Sequence, residues 1–362
     1  MHETQSGFTR RPQTLRLPPA CVYEVTYACN CRCEFCYVAS EADREAELDV
    51  IQVTASLVEQ GIMQMGFSGG EPLLRPEVID AALKARKANV QTHLITNGTL
   101  VEHYTPTDFV RAFRSVQVSL QGPTLQAHES VTATPGSFAQ AARGIELLVS
   151  AGVQVNVNAT LTQRLLPHLR EMFYLVKALG AGAFSLTRFC VPFGGRHSEV
   201  LSVSPADLRE ALELCVSMSR STGVHFAGLL SGVPLCILGP LPRRNPGVVR
   251  GCTCGHFWVD VTPDGYVKVC PPMTWTFGRY DALTTAWRSD HLRAWHDGGS
   301  LPPECGRCKL VSRCNGGCRA SALHWTGDPC APDPLKMRSL RSREDVGRST
   351  DSNDTAGVLR AR

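Results

Sequence analysis

No stretch of this 362-residue chain approaches the ~18 consecutive apolar residues that a membrane span needs, so no membrane partner is expected. The opening segment MHETQSGFTRRPQTLRLPPA carries arginines but no apolar h-region, which argues against a secretory signal. Charge of one sign is also scarce. Thirty-seven Lys and Arg against 33 Asp and Glu leave a net charge of only +4, and no basic stripe with interleaved aromatics suggests a nucleic-acid partner. The eleven histidines lack metal-ligand spacing, so His225, His256 and His324 are expected to be local hydrogen-bonders. No internal repeat emerges. The 43% hydrophobic and 19% charged content is that of a soluble globular enzyme.

Cysteine is what the chain has in excess. Sixteen thiols without an export signal point to reduced thiolates that bind metal in the cytosol. The length suffices for a full α/β domain plus a smaller second one.

Short apolar runs alternate with amphipathic stretches from Cys21 to about Leu201. Candidate strands are 22–27, 64–68, 91–96, 116–120, 153–159 and 182–187. Candidate helices lie near 47–60, 76–88, 101–113, 137–151 and 166–179, with Ser137 read as a cap and Pro167 as a first-turn proline. Six βα units imply a parallel sheet with right-handed crossovers. They are too few for a closed eight-stranded barrel, so a partial (β/α)6 TIM-like barrel with a lateral opening is expected. A helix over 205–222 opens with Ser204-Pro205. From Gly228 to Pro334 the text is rich in Gly, Pro, Cys and Trp, with one strand pair around the turn Pro263-Asp264-Gly265. The expected division is a flexible segment 1–20, a core 21–227, a cysteine-rich domain 228–335 and a disordered tail 336–362.

Cys29, Cys33 and Cys36 stand as C-x3-C-x2-C within VTYACNCRCEFCYV, directly after the first strand. Three thiolates are one short of the four that close a cubane iron-sulfur cluster, so a 4Fe-4S cluster here keeps one iron for an outside ligand. An incomplete zinc site and buried small apolar residues are the plainer alternatives. Gly69-Gly70-Glu71-Pro72 follows the second strand, where glycines let a ligand approach the backbone and Glu71 can accept from an ammonium group; a simple turn is the alternative. Thr96-Asn97-Gly98, Ser119-Leu120-Gln121-Gly122 and Asn158 end the next three strands and also suit ordinary turn chemistry. Farther on, Cys305, Cys308, Cys314 and Cys318 read C-x2-C-x5-C-x3-C, preceded by Cys252, Cys254 and Cys270 and followed by Cys330. Eight thiolates suffice for two fully ligated cubanes; a zinc knuckle at Cys305 and Cys308 is the competing reading.

The triplet together with GGEP resembles the radical S-adenosylmethionine (SAM) superfamily, and the later array resembles the SPASM domain that follows the core in some members. The resemblance implies that the free iron chelates the amino and carboxylate groups of SAM, and that electron transfer into the sulfonium yields a 5'-deoxyadenosyl radical. It implies Gly69, Gly70, Glu71 and Pro72 at the SAM amino group and Ser119 near the ribose, with Asn97 and Asn158 at the same strand ends. Two departures stand out. Gln121 replaces a common Asp, and Thr132-Ala133 replaces an Arg-Gly pair whose arginine commonly meets the SAM carboxylate; Arg188 is the substitute by strand position. The family's interleaved pattern gives Cys252, Cys254, Cys270 and Cys318 to one auxiliary 4Fe-4S cluster, and Cys305, Cys308, Cys314 and Cys330 to the other. Cys254 stands where relatives more often have a small residue, leaving Cys236 as an alternative ligand, and Cys330 precedes Asp333-Pro334 where relatives place the last cysteine after such a pair. Cys21, Cys31, Cys190 and Cys215 are then structural thiols. Pro192-Phe193-Gly194-Gly195-Arg196 resembles a segment bordering the active-site mouth, or is a glycine-rich linker. The five tryptophans, all in the second domain, are expected to pack around the clusters. Enzymes of this architecture often crosslink ribosomally made peptides, which makes a peptide the expected substrate and a flavodoxin- or ferredoxin-type protein the expected reductant. Gly316-Gly317-Cys318-Arg319-Ala320 and Thr326-Gly327-Asp328 also resemble haem-synthesis relatives, so a tetrapyrrole is the alternative. A non-catalytic metal-binding module is the third reading.

Overall fold

Seven strands run parallel and pair in chain order: β1 (Ala20–Glu24), β2 (Gln64–Ser68), β3 (Gln91–Thr96), β4 (Ser115–Ser119), β5 (Val155–Leu161), β6 (Ala183–Arg188) and β7 (His225–Leu229). This computed structural model describes residues 15–38, 48–190, 198–244, 247–249 and 251–338. The segment 192–196 and most of both termini lie outside them. Between the strands run α1 (Val50–Glu59), α2 (Glu77–Lys87), α3 (Pro106–Ala112), α4 (Leu125–Thr132), α5 (Ser137–Ser150), α6 (Leu169–Ala178), the single turn α7 (Ser198–Leu201) and α8 (Pro205–Thr222). The sequence of β5, VNVNATL, shows how the layers form. Val155, Val157 and Ala159 join the hydrophobic core, whereas the alternate Asn156 and Asn158 bond to the Ser185 hydroxyl on β6 at 2.8 and 2.9 Å. One face of the sheet is thus apolar and the other polar, as period-two alternation requires.

The six expected βα units are present, and a seventh parallel strand, β7, follows them. HFAGL is short and broken by Gly228 at φ 92°, which hides it in the sequence, but α8 returns the chain to pair it with β6. That helix begins with a reciprocal capping box between Ser204 and Asp207 and ends at left-handed Gly223. The boundary expected between 227 and 228 therefore falls inside β7.

The hairpin expected at Pro263-Asp264-Gly265 is present as β8 (Trp258–Val261) and β9 (Tyr266–Lys268), followed by β10 (Thr276–Arg279). β8 pairs in parallel with β1, so the cysteine-rich region extends the barrel sheet to ten strands. Both regions share one hydrogen-bonded framework. Among the described residues no helix is long and apolar enough to cross a membrane.

One local expectation is corrected. The α5 cap is Gly136 at φ 85°, while the Ser137 hydroxyl bonds to Thr132 at 2.8 Å; Pro167 lies, as expected, in the first turn, a 3-10 segment (Leu166–His168) that runs into α6. Helix α4 escaped the sequence reading because LQAHESVT is largely polar. It ends at Ala133 in the left-handed region, φ 50°, where a Cβ is disfavoured. Ala133→Gly is expected to raise stability by up to about 1 kcal/mol after the entropy cost of glycine. An unfolding midpoint that stays put or falls would show that no strain is relieved.

Candidate active site

The loop after β1 is fastened by backbone bonds to the end of α4, with Arg32 N–H to Thr132 O and Glu34 N–H to Val131 O, both 3.0 Å. Glu34 is also paired with Arg164 at 2.8 Å. In the docked loop Cys33 lies within electrostatic reach of both Cys29 and Cys36, with Cys29 exposed and the other two half-buried. The buried Cys31 thiol, which donates to Cys29, lowers the Cys29 thiol to about 6. Burial, followed by the two neighbouring thiols, pushes Cys33 up to about 12.

Gly69 and Gly70 serve close backbone packing. A Cβ on Gly69 would lie 2.2 Å from Thr26 O, and one on Gly70 2.2 Å from Ala28 O. Gly70 and Glu71 N–H groups accordingly donate to Thr26 O and Ala28 O at 2.8 and 2.9 Å. The Glu71 side chain, fully buried, accepts from the Thr96 hydroxyl at 2.7 Å, Asn97 N–H at 2.7 Å and Leu73 N–H at 3.0 Å. Burial raises its carboxyl to about 7 despite these donors. Glu71 therefore joins the β2 and β3 loops from inside, a different task from accepting a ligand ammonium. Pro72 opens the short turn that follows. Asn97 reaches the cysteine loop directly, with Nδ2 at 2.8 Å from Asn30 Oδ1 and 3.9 Å from Cys29 Sγ.

The later strand-end residues are less closely joined. Ser119 and Asn158 are register partners on β4 and β5, but the Asn158 side chain is committed to Ser185 and Thr187. Gln121 accepts from Thr160 N–H at 2.9 Å. Arg188 departs most from expectation. Its buried guanidinium grips both Asp333 oxygens at 2.6 and 2.8 Å and the Gly232 carbonyl at 3.2 Å. Committed in this way, it is withdrawn as the SAM carboxylate partner.

In the cysteine-rich region the thiols form two groups. Cys254 contacts both Cys252 and Cys270, Cys270 senses Cys318, and Cys318 touches Cys190. Cys190 is half-buried and accepts from Ser321 Oγ at 3.2 Å; it is the leftover thiol that lies against an expected ligand. Trp295 packs at the same place, donating to Cys254 O at 3.2 Å. Cys305, Cys308 and Cys314 make the second group. Among the described residues no three His, Cys, Asp or Glu side chains converge tightly enough to hold a single metal ion. A cubane takes one thiolate per iron and so holds its sulfurs farther apart than one zinc ion does.

Two buried carboxylates that sequence reading missed complete the picture. Glu24 on β1 and Asp260 on β8 flank Lys268 of β9, whose Nζ lies 2.9 and 3.1 Å away. All three are buried, and burial together with the Glu24 charge pushes the Asp260 carboxyl well above its usual value. A glutamate inside the apolar run CVYEVTY was the available signal. Beside this triad opens a cavity of about 520 Å³ lined by Tyr27 and Tyr37 from the cysteine loop and by Thr262, Lys268, Met273 and His324 from the other region.

The Radical SAM superfamily model matches residues 23–165. Over 339 residues the chain is 30% identical to a PqqA peptide cyclase of Streptomyces rochei, covering 88% of each chain. An AdoMet-dependent heme synthase of Oleidesulfovibrio alaskensis is 28% identical, covering 95% of this chain and 94% of its own. Among solved structures, Streptococcus suis SuiB bound to precursor peptide SuiA superposes with a TM-score of 0.71 at 17% identity, covering 88% of this chain and 76% of SuiB. The chain belongs to the radical SAM superfamily. It is a radical SAM enzyme with a partial-barrel core and a cysteine-rich C-terminal region, and its family's cofactors are SAM and a 4Fe-4S cluster. The cysteine loop fits that cluster, offering one exposed and two half-buried thiols, with Cys33 close to both others, beside the glycine-packed β2 loop.

Proposed function

We propose that this enzyme oxidatively modifies a ribosomally made peptide in the cavity between the cysteine loop and the SPASM-type region. Cys29, Cys33 and Cys36 would hold the SAM-binding cluster, with Asn97 and the Gly69–Pro72 backbone beside it and Ser119 and Asn158 at the far strand ends. Two auxiliary 4Fe-4S clusters would lie in the second region. When bound, the cluster and SAM supply a deoxyadenosyl radical that removes a substrate hydrogen atom. The protein's part is to orient the peptide and exclude water. A flavodoxin or ferredoxin would supply electrons in the cytoplasm, where thiols stay reduced.

The charge of the cavity carries the choice of substrate. A tetrapyrrole bearing several carboxylates calls for guanidinium or ammonium partners. Among the described residues that line this cavity there is no arginine, and the one lysine, Lys268, is already shared between Glu24 and Asp260. Tyrosine and threonine hydroxyls beside Met273, with the Asp264 carboxylate among them, suit a peptide better than a polyanion. The S. rochei relative, named a peptide cyclase, supports the same reading. The heme synthase relative supports the second, a haem-pathway substrate.

Peptides encoded near the gene, deuterated at single side-chain or α-carbon positions, separate these readings. Deuterium should pass into deoxyadenosine from one position, with a mass loss of about two units for an oxidative crosslink. Unchanged peptides alongside a porphyrinoid that loses carboxylate under the same reducing conditions would decide for the haem pathway.

A further inference from the structure

The second thiol group has three obvious members, Cys305, Cys308 and Cys314, and two contenders for the fourth place. Cys330 follows them in the chain, yet its thiol donates to Gly299 O at 3.2 Å. Among the described residues its charged neighbours are Asp328 and Arg319, with no cysteine beside them. Cys236 comes some seventy residues earlier, but the fold returns it to the group. It sits in the short turn Leu235–Ile237. The preceding residue, Leu235, donates its N–H to Cys314 Sγ at 3.3 Å, and that thiol in turn faces Val233 O at 3.9 Å. Cys236 has Cys308 within electrostatic reach, and Cys314 has both Cys236 and Cys305.

The surroundings reinforce the choice. Lys336 reaches the same spot, pairing at 3.0 Å with Glu304, the neighbour of Cys305, and lying beside Cys236 and Cys305. A cation there offsets the negative charge that gathers where four thiolates meet one cluster. Cys236 is exposed, and Cys305 and Cys308 are half-buried, so the group opens to one side where a cluster can enter.

We infer that Cys236, rather than Cys330, is the fourth ligand of the auxiliary cluster held by Cys305, Cys308 and Cys314. Cys330 is a structural thiol that fastens the chain after Asp328 to the Gly299 turn. This assignment rests on the reading of two auxiliary clusters.

Thiol alkylation of the full-length protein tests it, read by peptide mass spectrometry before and after anaerobic reconstitution and alongside an iron count. Loaded wild-type protein should hold about 12 irons, with Cys236 protected and Cys330 labelled, whereas apoprotein should label both. Cys236→Ala should lower iron by up to about 4 or produce the EPR signature of a three-iron cluster, and Cys330→Ala should do neither. Wild-type protein with about 12 irons in which Cys236 is labelled and Cys330 protected would overturn the assignment alone. Wild-type protein that never exceeds about 8 irons would overturn the two-cluster reading and the assignment with it. The labelling arm uses no variant, so it stands even if Cys236→Ala fails to fold.

Discussion

Replacing Cys29, Cys33 and Cys36 together with Ala should leave about 8 of about 12 irons and abolish SAM cleavage. The reason is the separation of the thiols. The triplet occupies the loop after β1, pinned to α4 through Thr132 and Val131, while the cysteine-rich region forms its own thiol groups around Cys254 and Cys314. Removing the three side chains leaves the backbone bonds that hold the loop intact. The remaining clusters should keep their absorbance and EPR signals, so the triple variant loses chemistry and keeps its fold. A variant that still holds about 12 irons, or still releases deoxyadenosine, would place the reactive cluster elsewhere.

What the sequence made legible divides along physical lines. Strands such as QMGFS and QTHLIT were placed to the residue because an apolar run closed by a turn signal is a local property. The cysteine loop, the glycine pair and the Asn97 turn were legible for the same reason, and the structure brings all three together. The packing task of the glycines was not legible, since Gly69 and Gly70 meet carbonyl oxygens of residues more than forty positions away, which spacing does not reveal. Long-range partnership hid the rest. Glu24 and Lys268 meet across 244 positions, and nothing around either residue announces the other. Strand β7 and the pairing of β8 with β1 escaped for a related reason, because each is completed by a neighbour distant in the chain.

Arg188 shows the same limit with the largest consequence for stability. By strand position it stood where a SAM carboxylate could be met, but it pairs instead with Asp333 across 145 positions. Asp333 is fully buried and also accepts from Cys318 N–H at 2.7 Å and Leu335 N–H at 2.9 Å. The pair thus ties the end of β6 to the last turn of the cysteine-rich region and fixes the backbone of Cys318. Arg188→Ala would strand a buried carboxylate, which typically costs about 3–5 kcal/mol, and should lower the unfolding midpoint sharply. Arg188→Met combined with Asp333→Leu should recover much of that loss, because the uncompensated charge goes with its partner. The dissociation constant for SAM is the deciding measurement. Loss of a charged hydrogen bond to the cofactor would cost ~1.5–3 kcal/mol, or roughly tenfold and more in affinity. With the guanidinium already committed, folded Arg188→Ala protein should bind SAM as the parent does, and a tenfold weakening would return Arg188 to the cofactor site.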